Sequence, residues 1–150
     1  MKLEFKEYSI ADRKDVIEMM TSFNAIDDYK FDPIIGGENL DKFTANEYLG
    51  KLYLIIHGQR NIGYIILAFG YSFEYKGRDA FIDEFYVKKE FRNQGIGKKT
   101  IDFIEVQANK LEVKAIHLEV EGHNEKANSL YKSKGYQSNN RTLLTKKILV

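Results

Sequence analysis

The chain has 150 residues, which is the usual size of one domain. Its 23 Lys and Arg residues nearly balance 22 Asp and Glu, and a net charge of +1 provides no field for nucleic acid or an anionic membrane. The absence of Cys excludes disulfides, thiolate zinc sites and a cysteine nucleophile. The acidic start, MKLEFKEYS, is unlike a signal peptide, and the longest uncharged stretch, residues 61–73, is too short to cross a bilayer. We expect one cytoplasmic domain over residues 1–150, with no nucleic acid or membrane partner.

The first 50 residues predict a strand, a helix, a loop and a second helix. Leu3 and Phe5 alternate as in a strand, and Ser9 with Asp12 resembles a capping box. Apolar residues at helical spacing then mark the first helix: Val16, Ile17, Met20 and Phe23. Residues 24–39 contain the only Pro and several acids, so they predict a loop. A short second helix is marked by Leu40, Phe43 and Tyr48.

The middle of the chain predicts an antiparallel meander. Residues 52–57, 62–75 and 80–87 are rich in β-branched and aromatic side chains. The sequence GQRN separates the first two segments, and a turn containing Gly77 separates the second from the third.

The last third predicts two helices and further strands. One helix face is marked by Ile101, Ile104, Ala108 and Leu111. A fifth strand is marked by the alternation of Ile116, Leu118 and Val120. Because its route from the fourth strand passes through a helix, this strand should pair in parallel. Asn124 can cap a fourth helix that Gly135 ends, and residues 136–149 predict one or two closing strands.

The stretch RNQGIGKKT, residues 92–100, follows the fourth predicted strand and suggests a phosphate-binding turn. A P-loop would need Gly where Arg92 stands and Ser or Thr where Lys99 stands. A dinucleotide-binding turn would need a third glycine at Thr100. The pattern R-x-x-G-x-G fits in full: its glycines would turn backbone amides toward an anion at a helix N-terminus. A turn that binds nothing remains the alternative on this motif alone.

Two segments together resemble the GNAT acyltransferase superfamily over nearly the whole chain. FIDEFYVKKEFRNQGIGKKTIDFIE is similar to that family's fourth strand, pyrophosphate loop and following helix. HLEVEGHNEKANSLYKSKGY is similar to its N-x-x-A-x-x-L-Y-x-x-x-G-[FY] segment. The resemblance implies an α/β (α+β) fold with a mixed, mostly antiparallel seven-stranded sheet and about four helices. The implied order is β1-α1-α2-β2-β3-β4-α3-β5-α4-β6-β7.

The same resemblance implies acetyl-coenzyme A as donor, without a metal, and transfer of its acetyl group directly to an amine. The residues it places at the coenzyme are Phe85, Tyr86, Val87, Arg92, Asn93, Gln94, Gly95, Ile96, Gly97, Lys98, Asn124 and Tyr131. Within this set, Phe85 and Val87 would bind the pantetheine arm through their backbone. Asn124 can also cap its helix, and Arg92 can contact phosphate or pair with an acid.

Three residues are candidates for the chemistry. Tyr131 matches the family tyrosine near the coenzyme sulfur, where its phenol can donate a proton; packing in the core is the alternative. Asp83 and Glu84 are adjacent on a strand and so should point to opposite faces. We expect Glu84 to be the base and Asp83 to contact the substrate, with a paired surface carboxylate as the alternative.

The acceptor amine is less well determined. The region between the first two helices holds Asp28 beside Tyr29 and Phe31, which suits a cationic amine. A solvated acidic loop explains the same residues. The acceptor is therefore a small, polyamine-like amine or a peptide or protein amine. The resemblance also allows a homodimer, and a non-catalytic acyl-coenzyme A-binding or interaction domain on the same fold is the alternative function.

Overall fold

A five-stranded mixed sheet organises the chain, and its strands follow the order β1-β2-β3-β4-β5. The computed structural model describes residues 1–149. The strands are β1 (Glu4–Glu7), β2 (Gly50–His57), β3 (Arg60–Ser72), β4 (Gly77–Val87) and β5 (Ala115–His117). The helices are α1 (Arg13–Ala25), α2 (Pro33–Thr44), α3 (Ile96–Lys110) and α4 (Glu125–Ser133). The first four strands pair antiparallel, and β5 pairs in parallel with β4. The predicted meander and parallel crossover are thus confirmed.

The two faces of the sheet carry different helices. One face packs against α1 and α2 through a cluster of buried residues: Val16, Met19, Met20, Leu40, Leu52, Leu54, Tyr64, Ile66 and Tyr86. The other face packs against α3, where Phe103 stacks on Phe5 at 4.4 Å between ring centroids and meets Tyr53 edge-on at 5.1 Å. Alternation along β2 and β3 therefore directs successive side chains to two separate cores.

Two local structures predicted from the sequence, the Ser9–Asp12 capping box and the turn between β2 and β3, are present. The Ser9 backbone N–H donates to the Asp12 carboxylate at 3.0 Å, which completes the capping box. The turn between β2 and β3 is a two-residue hairpin in which Gly58 and Gln59 both have positive φ, 52° and 65°. Positive φ at both central residues is the geometry of a type I′ turn, which matches the twist of paired strands.

The second helix begins earlier than the sequence predicts. Residues 33–39 belong to α2 rather than to a loop, because Asp32 accepts hydrogen bonds from the N–H groups of Ile34 and Ile35 and Pro33 occupies the first turn. The glycines in this helix permit close packing: a Cβ on Gly36 would overlap the ring of Phe31. The residues that suggest a loop therefore start and pack a helix.

The predicted seventh and sixth strands are absent from residues 136–149, so the expectation of seven strands is wrong for the described chain. The strand β5 pairs with β4 over only three residues, which leaves a short edge for a further strand. The tail also carries its apolar residues as adjacent pairs, Leu143–Leu144 and Ile148–Leu149. Adjacent side chains point to opposite faces of a strand, so these pairs do not form one apolar face.

By its internal contacts the chain forms two units, residues 1–119 and the part from Val120 onward. The first unit contains the sheet and α1 to α3. The second contains α4, which Asn124 caps by accepting from the Ala127 N–H at 3.1 Å. Gly135 follows this helix with a left-handed φ of 88°. The predicted start and stop of α4 are thus confirmed.

Candidate active site

The turn between β4 and α3 presents backbone amides that no side chain caps. Gly95 is the N-cap residue of α3, has a left-handed φ of 77°, and brings no side-chain hydrogen bond to the helix start. The first turn contains Lys98 and no acid. The N–H groups of Ile96, Gly97 and Lys98 therefore lie at an open helix N-terminus, where the helix dipole favours an anion.

Arg92 holds this turn against the end of β4. Its Nε donates to the carbonyl oxygen of Val87 at 2.7 Å, and its guanidinium lies 5.5 Å from the centroid of the Tyr86 ring. These contacts are with the backbone of Val87 and the ring of Tyr86, whereas the sequence suggested a phosphate or an acid as the partner of Arg92. In the structure Arg92 joins the loop to the strand.

The outer edge of β4 is open beside this turn. The strand β5 pairs with β4 only as far as Phe81. Further along, the Lys88 N–H donates to the carbonyl oxygen of Ile62, near the start of β3, at 2.8 Å. Backbone direction alternates along a strand, so Phe85 and Val87 direct their N–H and C=O groups away from β3, and the C=O of Val87 there accepts from Arg92. These are the two residues expected to bind an extended ligand chain through the backbone.

A β-bulge in β4 interrupts the alternation predicted for the two adjacent acids. Ile66 pairs with Glu84 and Leu67 pairs with Ile82, so Asp83 is the extra residue. A bulge bends its strand and redirects side chains, and bulges are frequent beside active sites. Asp83 is exposed, whereas Glu84 is half-buried on the face that packs against α1 and α2.

Glu84 receives one short hydrogen bond, from the hydroxyl of Tyr64 to its Oε1 at 2.7 Å. Burial raises the pKa of the Glu84 carboxyl, the Tyr64 bond acts in the opposite direction, and the charge of Asp83 raises the pKa again. The net direction is upward, which makes Glu84 a better proton acceptor than an exposed glutamate. Burial beside this carboxylate also raises the pKa of Tyr64, so its phenol stays protonated.

The second unit contains the other two predicted site residues. Asn124 uses its side-chain oxygen as the cap of α4, which is one of the two roles expected of it. Tyr131 lies on α4, and its ring meets that of Tyr136 edge-on at 5.8 Å between centroids. Burial raises the pKa of Tyr131, so the phenol is protonated at neutral pH and able to donate.

The residues expected at the acceptor amine differ in their exposure to solvent. Asp28 has a positive φ of 58°, and Tyr29 beside it is 70% exposed. Phe31 instead packs against the buried cluster under α1 and α2. Two acids of this region already have partners: Asp32 caps α2, and Asp41 forms a bidentate pair with Arg13 at 2.8 and 3.2 Å. The acidic surface available to a cation is therefore smaller than the sequence suggests.

Sequence reasoning missed Tyr64, the only hydrogen-bond partner that the structure gives Glu84 within residues 1–149. A tyrosine inside the otherwise aliphatic run YIILA was a usable signal, because a buried phenol needs an acceptor. Two histidine rings have hydrogen-bonding contacts, His57 with the Lys2 carbonyl and His117 with the Asp79 carboxylate. Through residue 149, no cluster of His, Asp and Glu could hold a metal, and no helix is long and apolar enough to span a membrane.

Comparisons with known proteins agree with this geometry. Residues 17–136 match the acetyltransferase (GNAT) family. A stretch of 76 residues is 38% identical to thialysine N-epsilon-acetyltransferase from Bos taurus, covering 51% of this chain and 44% of that protein. The chain thus spans about half the length of the curated relatives it matches.

Solved structures show the same fold. An integron cassette protein from the mobile metagenome of Cole Harbour Salt Marsh superposes with a TM-score of 0.88 at 23% identity, over 97% of this chain and 91% of that one. A predicted acetyltransferase with acetyl-CoA from Clostridium acetobutylicum superposes with a TM-score of 0.79 at 18% identity, over 97% and 96% of the two chains. The α+β architecture described above is therefore the fold of these proteins.

Proposed function

Because the chain belongs to the GNAT acetyltransferase family, we propose that it transfers the acetyl group of acetyl-coenzyme A directly to a primary amine. The observation that carries this proposal is Glu84: a half-buried carboxylate of raised pKa at a β-bulge, on the strand that has an open outer edge and that leads toward the uncapped start of α3. A proton acceptor beside a binding edge is what aminolysis of a thioester requires.

The donor site is supported by the loop and the strand edge. The pyrophosphate would lie on the amides between Arg92 and Lys98, with Gly95 leaving room for its approach. The pantetheine arm would add to the edge of β4 through the backbone of Phe85 and Val87. Bound in this way, the coenzyme supplies a thioester whose carbonyl carbon an amine can attack.

The chain's own residues would handle two protons. Glu84 accepts one from the attacking amine, directly or through water, so that the nitrogen lone pair can form the new C–N bond. When the C–S bond breaks, the Tyr131 phenol donates a proton to the departing thiolate. Asp83, exposed beside Glu84, would contact the incoming amine. With no Cys in the chain, a thiol-based acyl-enzyme is not available.

The acceptor is a small cationic amine or an amine of a peptide or protein. The similarity to thialysine N-epsilon-acetyltransferase supports the first, because thialysine carries a primary amine on a short chain. Asp28, Tyr29 and Phe31 would form part of the acceptor wall. The family match runs through residue 119 into the second unit, which supports one functional domain. A cytoplasmic location is part of the proposal.

The test is acceptor-dependent release of coenzyme A thiol. The protein is incubated with acetyl-coenzyme A and, in parallel, thialysine, spermidine, lysine or a peptide with a free N-terminus. We expect at least one amine to raise thiol release above the rate without acceptor, with the acetylated amine detected by mass. Coenzyme binding without acceptor-dependent release from any amine would favour the non-catalytic acyl-coenzyme A-binding domain instead.

A further inference from the structure

We propose that Tyr64 is a positioning residue that fixes the Glu84 carboxylate and keeps it ionised for the reaction. The inference rests on the proposed function, since it assigns a role to a residue that touches the base and not the substrate. It follows from one contact, the 2.7 Å hydrogen bond from the Tyr64 hydroxyl to Glu84 Oε1, and from the packing around it.

The Tyr64 ring is buried and closely packed on the side of the sheet that faces α1. Its side chain is fully buried at 0% exposure. The ring meets Phe23 of α1 edge-on at 6.4 Å and lies 5.9 Å from the ring of Tyr86, measured between centroids. Because these neighbours hold the ring, the phenol can act as a fixed donor that defines where the carboxylate lies.

The hydrogen bond from Tyr64 also makes the two carboxylate oxygens of Glu84 different. Oε1 accepts from Tyr64, while Oε2 has no hydrogen-bond partner within residues 1–149. The bulge at Asp83 turns this part of β4 out of regular register. Oε2 is therefore the oxygen available to accept a proton from an amine or from a bridging water.

The surroundings of Glu84 explain why a donor is needed. The titratable groups facing it are Tyr64 from β3 and Asp83 from β4, with Tyr86 next along the strand. The adjoining hydrophobic cluster includes Val16, Met19, Met20 and Phe23 of α1, Leu40 of α2, and Phe31 from the segment between the two helices. Burial and the charge of Asp83 both favour the protonated carboxyl, and the Tyr64 bond is the contact that favours the ionised form.

The decisive variant is Tyr64→Phe, which keeps the ring and removes the hydroxyl. Loss of the hydrogen bond should raise the pKa of Glu84, so the acidic limb of the plot of kcat/KM against pH should move to higher pH by about one unit or more. Activity should then fall about tenfold at pH values below the limb's midpoint and recover at high pH. Tyr53→Phe is the matched control: it removes another buried phenol, on the α3 face, and should leave the limb in place. An unmoved limb in Tyr64→Phe would overturn the inference.

A measurement on the unaltered chain covers the case in which Tyr64→Phe does not fold. Carbon-13 NMR follows the Glu84 carboxyl carbon and the Tyr64 ring carbon bearing the hydroxyl through a pH titration without substrate, with Glu84→Gln to assign the carboxyl signal. We expect both carbons to shift with one midpoint. If the two carbons shift with different midpoints, the inference is overturned even if the enzyme is active. If they share a midpoint but no amine gives acceptor-dependent turnover, the result counts against the proposed function alone.

Discussion

The Nε of Arg92 donates a hydrogen bond to the carbonyl oxygen of Val87 at 2.7 Å, so the first residue of the glycine-containing turn before α3 is tied to the last residue of β4. We predict that Arg92→Ala weakens acetyl-coenzyme A binding about tenfold, the equivalent of about 1.4 kcal/mol, at the low end for a hydrogen bond to a charged group. Isothermal titration measures the dissociation constant.

Arg92→Lys distinguishes the contacts of the Arg92 guanidinium with β4 from the effect of its positive charge. A lysine retains the positive charge but lacks the planar guanidinium that bonds Val87 and lies over the Tyr86 ring. We expect Arg92→Lys to bind as weakly as Arg92→Ala. Wild-type affinity in the lysine variant would mean that the arginine acts through charge on the phosphate.

Gly95→Ala should reduce both stability and coenzyme affinity. Gly95 has a φ of 77° and Gly58 a φ of 52°, and a Cβ on either would meet no heavy atom within 4 Å. Each alanine variant should lose about 1 kcal/mol through backbone strain, which lowers the melting midpoint by roughly 2 to 4 °C. Only Gly95→Ala should also bind acetyl-coenzyme A more weakly. Equal affinities in the two variants would argue against a pyrophosphate on this turn.

Tyr131→Phe should lower kcat by about a hundredfold and leave acetyl-coenzyme A affinity unchanged, since loss of a general acid affects turnover and not donor binding. Tyr136→Phe serves as the control because its ring packs against that of Tyr131 at 5.8 Å. Steady-state kinetics and titration calorimetry measure the two quantities. If Tyr131→Phe turns over at the wild-type rate, the phenol is not the proton donor.

Glu84→Gln should abolish acceptor-dependent turnover and yet raise the melting midpoint at pH 8. The raised pKa of Glu84 means that the folded state binds its proton more tightly than the unfolded state. Its contribution to stability is therefore full below the unfolded pKa and is lost as pH rises through the folded pKa. A neutral glutamine avoids that loss, so the variant should exceed the wild type at pH 8 and match it near pH 4.

Asp83→Asn is the control for this stability effect. Asp83 is exposed, and its removal should leave the midpoint nearly unchanged at both pH values. Scanning calorimetry across pH gives the comparison. A Glu84→Gln midpoint below the wild type at pH 8 would contradict the assignment of a desolvated carboxylate.

Much of the fold was predictable because its signals are local. Runs of β-branched and aromatic residues between turn sequences predicted β2 to β4, helical spacing predicted α3, and Asn124 with Gly135 marked the ends of α4. The start of α2 was misjudged because Pro33 and Gly36 were interpreted as breakers. Their roles depend on Asp32 capping the helix and on the Phe31 ring lying over it, contacts that composition does not reveal.

The candidate site was predictable in part for the same reason. The turn around Gly95 follows from a contiguous motif, and its open amides appear in the structure. The contact between Tyr64 and Glu84 joins residues 20 positions apart and depends on the register of β3 against β4. That register includes a one-residue bulge at Asp83, which no pattern in the sequence predicts.

The most direct test of the donor site is the melting midpoint with and without acetyl-coenzyme A, with adenosine diphosphate and NAD as controls. At about 100 times the dissociation constant, binding adds roughly 2.7 kcal/mol, which raises the midpoint by roughly 5 to 10 °C in a chain of this size. We predict such a shift for acetyl-coenzyme A and a smaller one for either control. No shift with acetyl-coenzyme A at saturating concentration would contradict the proposed function, because the protein would then not bind the acetyl donor.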